Sequence, residues 1–412
     1  MKQNTLLKYS VLNTVGLFVY TFCQWLATLL VVRVSGFEDA GIYSLANSFV
    51  VVFCAVTSLS PRVYQISDVS HRHTDGTYIA ARIITCIFSL LLFIIALSFV
   101  EFSPYVVVCC FALICYKLLE ITADVFGGVL QKFNRYVCIA LSYILKGIVP
   151  IISFSVVLYL KNLSFAIFAQ MLTFLIIFLL YDVQVVVHHK DFTHNILLRD
   201  VPNIFLASIP LMISGFVYPS MMFITRYVIN EIYSTEELGY YSSITMFILV
   251  MGFITGPMFS VFLPRISERY LHQEYTILKD IIVKVIRYIF LLGVALLAAV
   301  FLFGNFGLVL LFGNEIIPYS FLLPPIIIFS CISTIVSFFN SLLTAFQNRN
   351  QMMIANLIGI IPCTLLVQPL IVNFGMIGSF YCLMISVGIQ AVLLGCITAI
   401  FLRRPYGSKE HK

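Results

Sequence analysis

Residues 79–100 read IAARIITCIFSLLLFIIALSFV, a run in which Arg82 is the only charged residue. About 20 consecutive apolar residues suffice for an α-helix to cross the hydrocarbon core of a bilayer. Stretches of this kind recur along the chain, so that 61% of its 412 residues are hydrophobic and only 10% are charged. The mean hydropathy of +1.04 excludes a soluble globular domain, in which about a quarter of the residues are charged. The sequence therefore predicts a polytopic helical membrane protein.

Twelve stretches are long enough to span a membrane, and polar residues mark where each of them ends. The predicted spans are residues 12–34, 41–60, 79–100, 105–130, 137–160, 164–187, 201–228, 239–263, 281–303, 318–346, 352–372 and 377–402. Together they take up nearly the whole chain. The predicted fold class is an all-α polytopic membrane protein with twelve transmembrane helices.

Most of the 24 Lys and Arg residues lie in every second gap between the spans. Short loops that carry Lys and Arg stay in the cytoplasm, because these residues resist translocation. This asymmetry predicts cytoplasmic N- and C-termini. The net charge of +6 is then an orientation signal, and the sequence predicts no nucleic-acid partner.

The two halves share short polar signatures that recur in the same order. Residues 39–44 (DAGIYS) open the second span and residues 237–242 (ELGYYS) open the eighth. Pro61-Arg62 and Pro264-Arg265 end the same two spans. We therefore predict two pseudo-symmetric six-helix lobes with a substrate site between them. The predicted parts are an N-terminal lobe, a cytoplasmic connector, a C-terminal lobe and a cytoplasmic tail, at residues 1–187, 188–200, 201–402 and 403–412.

Four ionisable residues lie inside the predicted membrane region. Lys117, Glu120 and Asp124 are spaced so that they share one face of the fourth span, and Lys146 lies in the fifth. Glu120 and Lys146 are equally far from the turn that joins these helices, which predicts an ion pair between them. A charge at the bilayer centre costs about 2.5 to 3.5 kcal/mol on the lenient insertion scale. These side chains must therefore face each other or water.

Two interpretations of this cluster remain open. In the first, the cluster is the polar wall of a translocation cavity, in which Lys117 and Lys146 bind an anionic substrate while Glu120 and Asp124 couple transport to an ion. In the second, it is a neutral network that holds the two helices together. The corresponding positions of the second half carry no charge, which favours the cavity.

Four arginines complete the set of candidate substrate-binding residues. Arg33 and Arg226 end the first and seventh spans, where they would grip phosphate or extend to the outer headgroups. Arg62 and Arg265 follow Pro at cytoplasmic ends, where they would guide an anionic headgroup inward or act as topology anchors. No Cys or His spacing predicts a metal, and no cofactor is expected.

The chain resembles bacterial polysaccharide repeat-unit flippases. The likeness lies in residues 37–43 (FEDAGIY), 60–68 (SPRVYQISD) and above all 117–131 (KLLEITADVFGGVLQ), followed by Ser142 and Lys146-Gly147. It implies membership of the multidrug/oligosaccharidyl-lipid/polysaccharide exporter superfamily, whose MATE-like fold has two six-helix lobes. It also implies a substrate, an undecaprenyl-diphosphate-linked oligosaccharide turned over from the cytoplasmic to the outer leaflet of the bacterial cytoplasmic (inner) membrane for O-antigen or capsule synthesis. We expect this transport to proceed by alternating access.

Other classes of membrane protein remain as alternatives. A MATE-like exporter of small molecules or drugs has the same helices. A polysaccharide polymerase usually needs a larger outer loop than any here, and an acyltransferase needs a histidine within the membrane. We expect a transporter rather than an enzyme, with the lipid bilayer and the polysaccharide polymerase machinery as further partners.

Overall fold

The computed structural model describes residues 3–57, 74–160, 162–190, 192–193, 195–197, 199 and 201–402. Within these ranges the regular elements are helices, and no strand occurs. Twelve helical segments are long and apolar enough to cross a membrane, and each predicted span falls on one of them. The predicted number of transmembrane helices is therefore confirmed.

The described residues of the first half form six helical segments that are long enough to cross a membrane. They are α1 (Gln3–Ser35), α2 (Phe37–Thr57), α3 (Asp75–Leu97), α4 (Pro104–Lys132), α5 (Tyr136–Leu158) and α6 (Leu163–Ile177). α6 continues through a π-helical turn (Phe178–Val183) into a short last piece (Gln184–Val187). The start of α4 is typical of a capped helix, because the Ser103 hydroxyl accepts a hydrogen bond from the Val106 amide and Pro104 occupies the first helical position.

Seven α-helices and a 3-10 helix follow. They are α7 (Val201–Ile232), α8 (Thr235–Thr245), α9 (Ile248–Leu271), α10 (Tyr275–Phe312), the 3-10 helix (Asn314–Leu322), α11 (Leu323–Ala345), α12 (Arg349–Phe374) and α13 (Met376–Phe401). Gly375 alone joins α12 to α13, and its φ of 67° lies in the left-handed region that only glycine adopts without strain.

The chain forms two compact units. The first extends to Phe223 and includes Thr235–Gly239, and the second consists of Ile224–Ser234 and the chain from Tyr240 onward. The first part of α7 therefore belongs to the same unit as α1 to α6. The lobe and connector bounds derived from the sequence stay a prediction.

Within the first unit, α1 packs closely along α5. A Cβ on Gly16 would lie 2.8 Å from the Ala140 carbonyl oxygen, so the two backbones approach each other where only glycine fits. A turn and more further along α1, Tyr20 and Gln24 reach the interior of the unit, where Gln24 contacts Glu120 of α4. The close approach of α1 thus positions polar side chains beside the charged residues of α4.

The segment after α6 is tied to the start of α3 through Asp75, which is fully buried. The Asp75 carboxylate forms an ion pair of 3.0 Å with Lys132 Nζ at the end of α4. It also accepts hydrogen bonds from the amide and the hydroxyl of Thr193. The Leu197 amide donates to the Thr77 hydroxyl at 2.9 Å. The predicted connector is therefore hydrogen-bonded to the start of α3, whose Asp75 is in turn paired with the end of α4.

Replacing Asp75 with asparagine is expected to loosen this segment. Because an unsatisfied buried partner costs about 1 to 3 kcal/mol, the fraction of molecules with a released segment should rise roughly tenfold or more. Lys190 and Arg199 are exposed, so limited trypsin digestion should cut there faster. Glu101→Gln removes an exposed carboxylate elsewhere and is the control. Equal cleavage rates in both variants would contradict a role of Asp75 in holding the segment.

Candidate functional site

A cavity of about 650 Å³ lies inside the first unit. Its wall includes three cationic and three anionic side chains, contributed by α3, α4, α5 and the π-helical turn after α6: Arg82, Lys117, Glu120, Asp124, Lys146 and Asp182. All four membrane charges that the sequence singled out line this one cavity. Its volume lies within the range of small-molecule binding sites, about 300 to 1,000 Å³.

The rest of the wall is largely apolar. Leu17 of α1, Val51 and Cys54 of α2 and Ile121 of α4 contribute much of it. Gly215 and Pro219 from the first part of α7 complete it, and both belong to the first unit. The cavity is thus lined partly by charged side chains and partly by apolar ones, and it is not a fully polar channel.

Lys117 and Glu120 form an ion pair at the cavity that is more accessible than the pair formed by Lys146 and Asp182. Lys117 Nζ lies 2.9 Å from Glu120 Oε2, and about a fifth of each side chain is exposed. The other carboxylate oxygen, Glu120 Oε1, accepts a hydrogen bond of 2.8 Å from Gln24 Nε2. Gln24 also donates to the Tyr20 hydroxyl at 3.0 Å. Glu120 is therefore held by a neutral hydrogen-bond donor as well as by Lys117.

Lys146 and Asp182 form the second pair, which is nearly sealed. Lys146 Nζ lies 2.8 Å from Asp182 Oδ2, and the side chains are only 6% and 2% exposed. The Ser142 hydroxyl donates to Asp182 Oδ1 at 2.6 Å, and Lys146 Nζ lies 5.6 Å from the centre of the Phe174 ring. This pair fastens α5 to α6 as well as bordering the cavity.

The π-helical turn at Phe178–Val183 is what places Asp182 at this point. A π-helical turn adds a residue to a helical turn and so redirects the side chains that follow, and such turns are frequent at functional sites. The sequence reasoning missed Asp182. The signal was present, since an Asp within an otherwise apolar span is a candidate for function by itself.

The predicted pair between Glu120 and Lys146 is wrong. Glu120 instead binds Lys117, which lies one turn away on its own helix, and Lys146 binds Asp182 of the neighbouring helix. Both residues line the same cavity. Equal distance from the α4–α5 turn did not identify their partners, because each residue has another opposite charge at 2.9 Å or 2.8 Å.

Arg82, the charged residue of the stretch 79–100, is a further cation of the cavity that was not among the candidate site residues chosen from the sequence. Its side chain is 3% exposed and donates a hydrogen bond to the backbone carbonyl oxygen of Thr57 in α2. Asp124 lies near enough to act electrostatically on Arg82. Arg82 thus fastens α3 to the backbone of α2 and also contributes charge to the cavity.

The four other predicted arginines are placed differently. Arg33 is exposed at the end of α1, and Arg226 of α7 donates to the Thr245 hydroxyl at 3.3 Å within the second unit. Neither lines the cavity. Arg62 lies outside the described residues, and only the backbone of Arg265, in α9, is described. Their roles in substrate binding stay predictions.

Comparison with known proteins gives a family and a fold. The profile of a family described as "Polysaccharide biosynthesis protein" matches residues 57–269, just over half of the chain. "Capsular polysaccharide biosynthesis protein CapF" of Staphylococcus aureus is 23% identical over 300 residues, which are 71% of this chain and 74% of that protein.

Solved transporters share the architecture. An inward-facing multidrug resistance MATE family transporter of the MOP superfamily matches with a TM-score of 0.62 at 15% identity, covering 97% of this chain and 96% of its own. A MOP superfamily transporter from Pyrococcus furiosus matches with a TM-score of 0.64 at 16% identity, covering 97% of each chain. The predicted MATE-like fold of two six-helix lobes is therefore confirmed.

Proposed function

This chain belongs to the polysaccharide biosynthesis protein family, and on that basis we propose that it is a polysaccharide flippase. Its substrate is an undecaprenyl-diphosphate-linked oligosaccharide repeat unit, which it turns from the cytoplasmic to the outer leaflet for O-antigen or capsule synthesis. The relative from S. aureus, named for capsular polysaccharide biosynthesis, supports the assignment to polysaccharide export. The MATE-like fold supports transport rather than a reaction on the sugar.

The charged cavity is the observation that carries the proposal. A lipid-linked sugar has a polyprenyl tail that is stable in the bilayer and a diphosphate that is not. The diphosphate needs cations and water along its path, because each charge at the bilayer centre costs about 2.5 to 3.5 kcal/mol. Arg82, Lys117 and Lys146 supply cations at one cavity within membrane-spanning helices.

Lys117 is the cation best suited to meet the diphosphate first. Its side chain is about 20% exposed, whereas that of Lys146 is about 6% exposed. A diphosphate carries more than one negative charge and competes effectively with a single carboxylate for an ammonium group. On binding, Lys117 turns from Glu120 to phosphate, and Gln24 continues to donate to Glu120.

Glu120 and Asp124 are the proposed ion-coupling residues. When Lys117 leaves Glu120, the carboxylate has lost its counter-charge in a poorly hydrated site and binds a proton or a metal cation more strongly. Uptake of one of these ions would then accompany substrate binding. Asp124 shares the same face of α4 and acts electrostatically on Arg82.

The proposed cycle is alternating access in the bacterial cytoplasmic membrane, with both termini in the cytoplasm. Arg62 and Arg265 are proposed to receive the headgroup on the cytoplasmic side, and Arg33 and Arg226 to meet it on the outer side. The polymerase machinery that consumes the repeat unit is the proposed partner there.

A small-molecule exporter of the MATE type is the second candidate, because the matched transporters include drug-resistance proteins. The two functions differ in the ligand that stabilises the purified protein. We expect undecaprenyl-diphosphate-linked oligosaccharide at 100 times its dissociation constant to raise the free energy of unfolding by about 2.7 kcal/mol. This is measured as a rise in the thermal-unfolding midpoint in lipid nanodiscs.

Two comparisons make this test specific. Tetraphenylphosphonium, a lipophilic organic cation, should leave the midpoint unchanged, and Lys117→Ala should lose most of the rise caused by the lipid-linked sugar. Stabilisation by the organic cation alone would overturn the flippase in favour of the exporter.

A further inference from the structure

The first turns of α2 and α8 cross with almost no space between their backbones. A Cβ on Gly41 would lie 1.9 Å from the carbonyl oxygen of Thr235, the first residue of α8. A Cβ on Gly239 would lie 1.8 Å from the carbonyl oxygen of Phe37, the first residue of α2. Both segments belong to the first compact unit.

The two contacts are the same contact made twice. In each helix the glycine lies one turn after the first residue, and it faces the first residue of the other helix. Gly41 and Gly239 are also the glycines that correspond to each other in the DAGIYS and ELGYYS signatures. The crossing therefore has a local two-fold relation that arises from the internal repeat.

The obstacle at each position is backbone. A flexible side chain moves aside for an added methyl group, whereas a helical carbonyl oxygen moves only with its helix. Alanine at either glycine is therefore incompatible with the crossing as it stands and requires α2 and α8 to separate. The helices themselves tolerate alanine well, since it is the best helix former.

The crossing and the cavity lie on the same helix. Val51 and Cys54 of α2 line the cavity and follow Gly41 by roughly three to four turns, which is roughly 15 to 20 Å at 1.5 Å per residue. The predicted orientation places the start of α2 at the outer face of the membrane. The crossing then lies between the cavity and the outside.

We propose that the Gly41–Gly239 crossing is the outer gate of the transport path. It is closed in this structure, and it separates to let the polar headgroup leave the cavity. The proposal rests on the proposed function for the identity of the cargo, but the opening of the gate does not depend on which cargo is carried. Glycine at both positions permits the close contact of the closed state, whereas the open state does not need it. Alanine therefore destabilises the closed state relative to the open state and shifts the equilibrium towards opening.

Cys54 offers a built-in reporter, because it lines the cavity. In a variant that keeps Cys54 as its single cysteine, a membrane-impermeant maleimide is added to the outer face of cells or of right-side-out vesicles. We expect Gly41→Ala and Gly239→Ala each to raise the initial rate of Cys54 labelling at least fivefold, and the double variant to raise it no less. Gly252→Ala is the matched control, because a Cβ there meets nothing within 4 Å.

Labelling that stays at the parental rate in both folded alanine variants would overturn the gate. An equal rise in Gly252→Ala would do so as well, because it would indicate general loosening. Should the alanine variants fail to insert, thiol cross-linking of Phe37→Cys to Thr235→Cys in a cysteine-free chain replaces them. The gate predicts that cross-linking stops export and that reduction restores it, and undiminished export by the cross-linked protein would refute the gate.

The labelling requires no lipid-linked sugar, so failure of the gate and failure of the proposed function are distinguishable. A protein that labels as expected but is stabilised only by an organic cation would have the gate and a different cargo. A protein stabilised by the lipid-linked sugar but without faster labelling would be a flippase with its outer gate elsewhere.

Discussion

Lys117→Ala is expected to reduce surface polysaccharide by one to two orders of magnitude while the protein stays in the membrane at its normal level. A hydrogen bond to a charged group contributes about 1.5 to 3 kcal/mol, and each 1.36 kcal/mol is a factor of ten in rate. Lys117 is the accessible cation of the cavity, so its loss removes the first contact with the diphosphate. The measurement is surface polysaccharide in a strain complemented with each variant, with membrane protein quantified in parallel.

Three further variants separate charge from packing. Lys117→Arg keeps the cation and should retain part of the export. Lys284→Ala removes an exposed lysine of α10, which does not line the cavity, and should leave export unchanged. Lys117→Ala combined with Glu120→Gln removes both members of the pair. If export returns in this double variant, the ion pair has only a structural role within α4. Normal export in Lys117→Ala alone would also contradict a role of Lys117 in the cavity.

The twelve helices could be predicted from the sequence because bilayer thickness sets a length that apolar runs must meet. The face shared by Lys117, Glu120 and Asp124 could be predicted as well, because helical periodicity is fixed. Span length and helical periodicity together led us to expect that these three residues and Lys146 would line one cavity. They do not predict which residues form ion pairs, because that depends on which opposite charge is nearest in the packed structure.

Asp182 and Arg82 illustrate what the sequence rules leave undetermined. Asp182 reaches Lys146 because α6 contains a π-helical turn, and no rule of periodicity anticipates an inserted residue in a helix. Arg82 lies near the predicted cytoplasmic end of its span, where the positive-inside rule alone accounts for a cation, so its burial against the backbone of α2 could not be predicted from its position. Both residues needed the packing of specific helices to be recognised.

The second unit has a polar cluster of its own that is neutral. Asn356 Nδ2 of α12 donates to Asn340 Oδ1 of α11 at 3.0 Å, and Gln390 Nε2 of α13 donates to the Asn356 carbonyl oxygen at 3.4 Å. Neutral amide side chains thus join three helices there. Holding helices together does not require ionised side chains in this fold, which supports a transport role for the ionised residues of the first unit.

Asp182→Asn is expected to produce the largest loss of stability of any single change in the cavity. It leaves Lys146 about 6% exposed and without its counter-charge. Breaking a buried ion pair by removing one partner typically costs about 3 to 5 kcal/mol, because the remaining charge is buried without compensation. The measurement is the thermal-unfolding midpoint of the detergent-purified protein. A midpoint within error of the parent would contradict the sealed pair.

The double variant Lys146→Met with Asp182→Leu then decides what the pair is for. Replacing both members by apolar groups of similar size is often neutral or stabilising, so the unfolding midpoint should recover. If Lys146 also takes part in moving the diphosphate, surface polysaccharide should stay at least tenfold below the parent despite that recovery. Recovery of both stability and polysaccharide would instead make the pair a fastening of α5 to α6, and would leave Lys117 and Arg82 as the cations that act on the substrate.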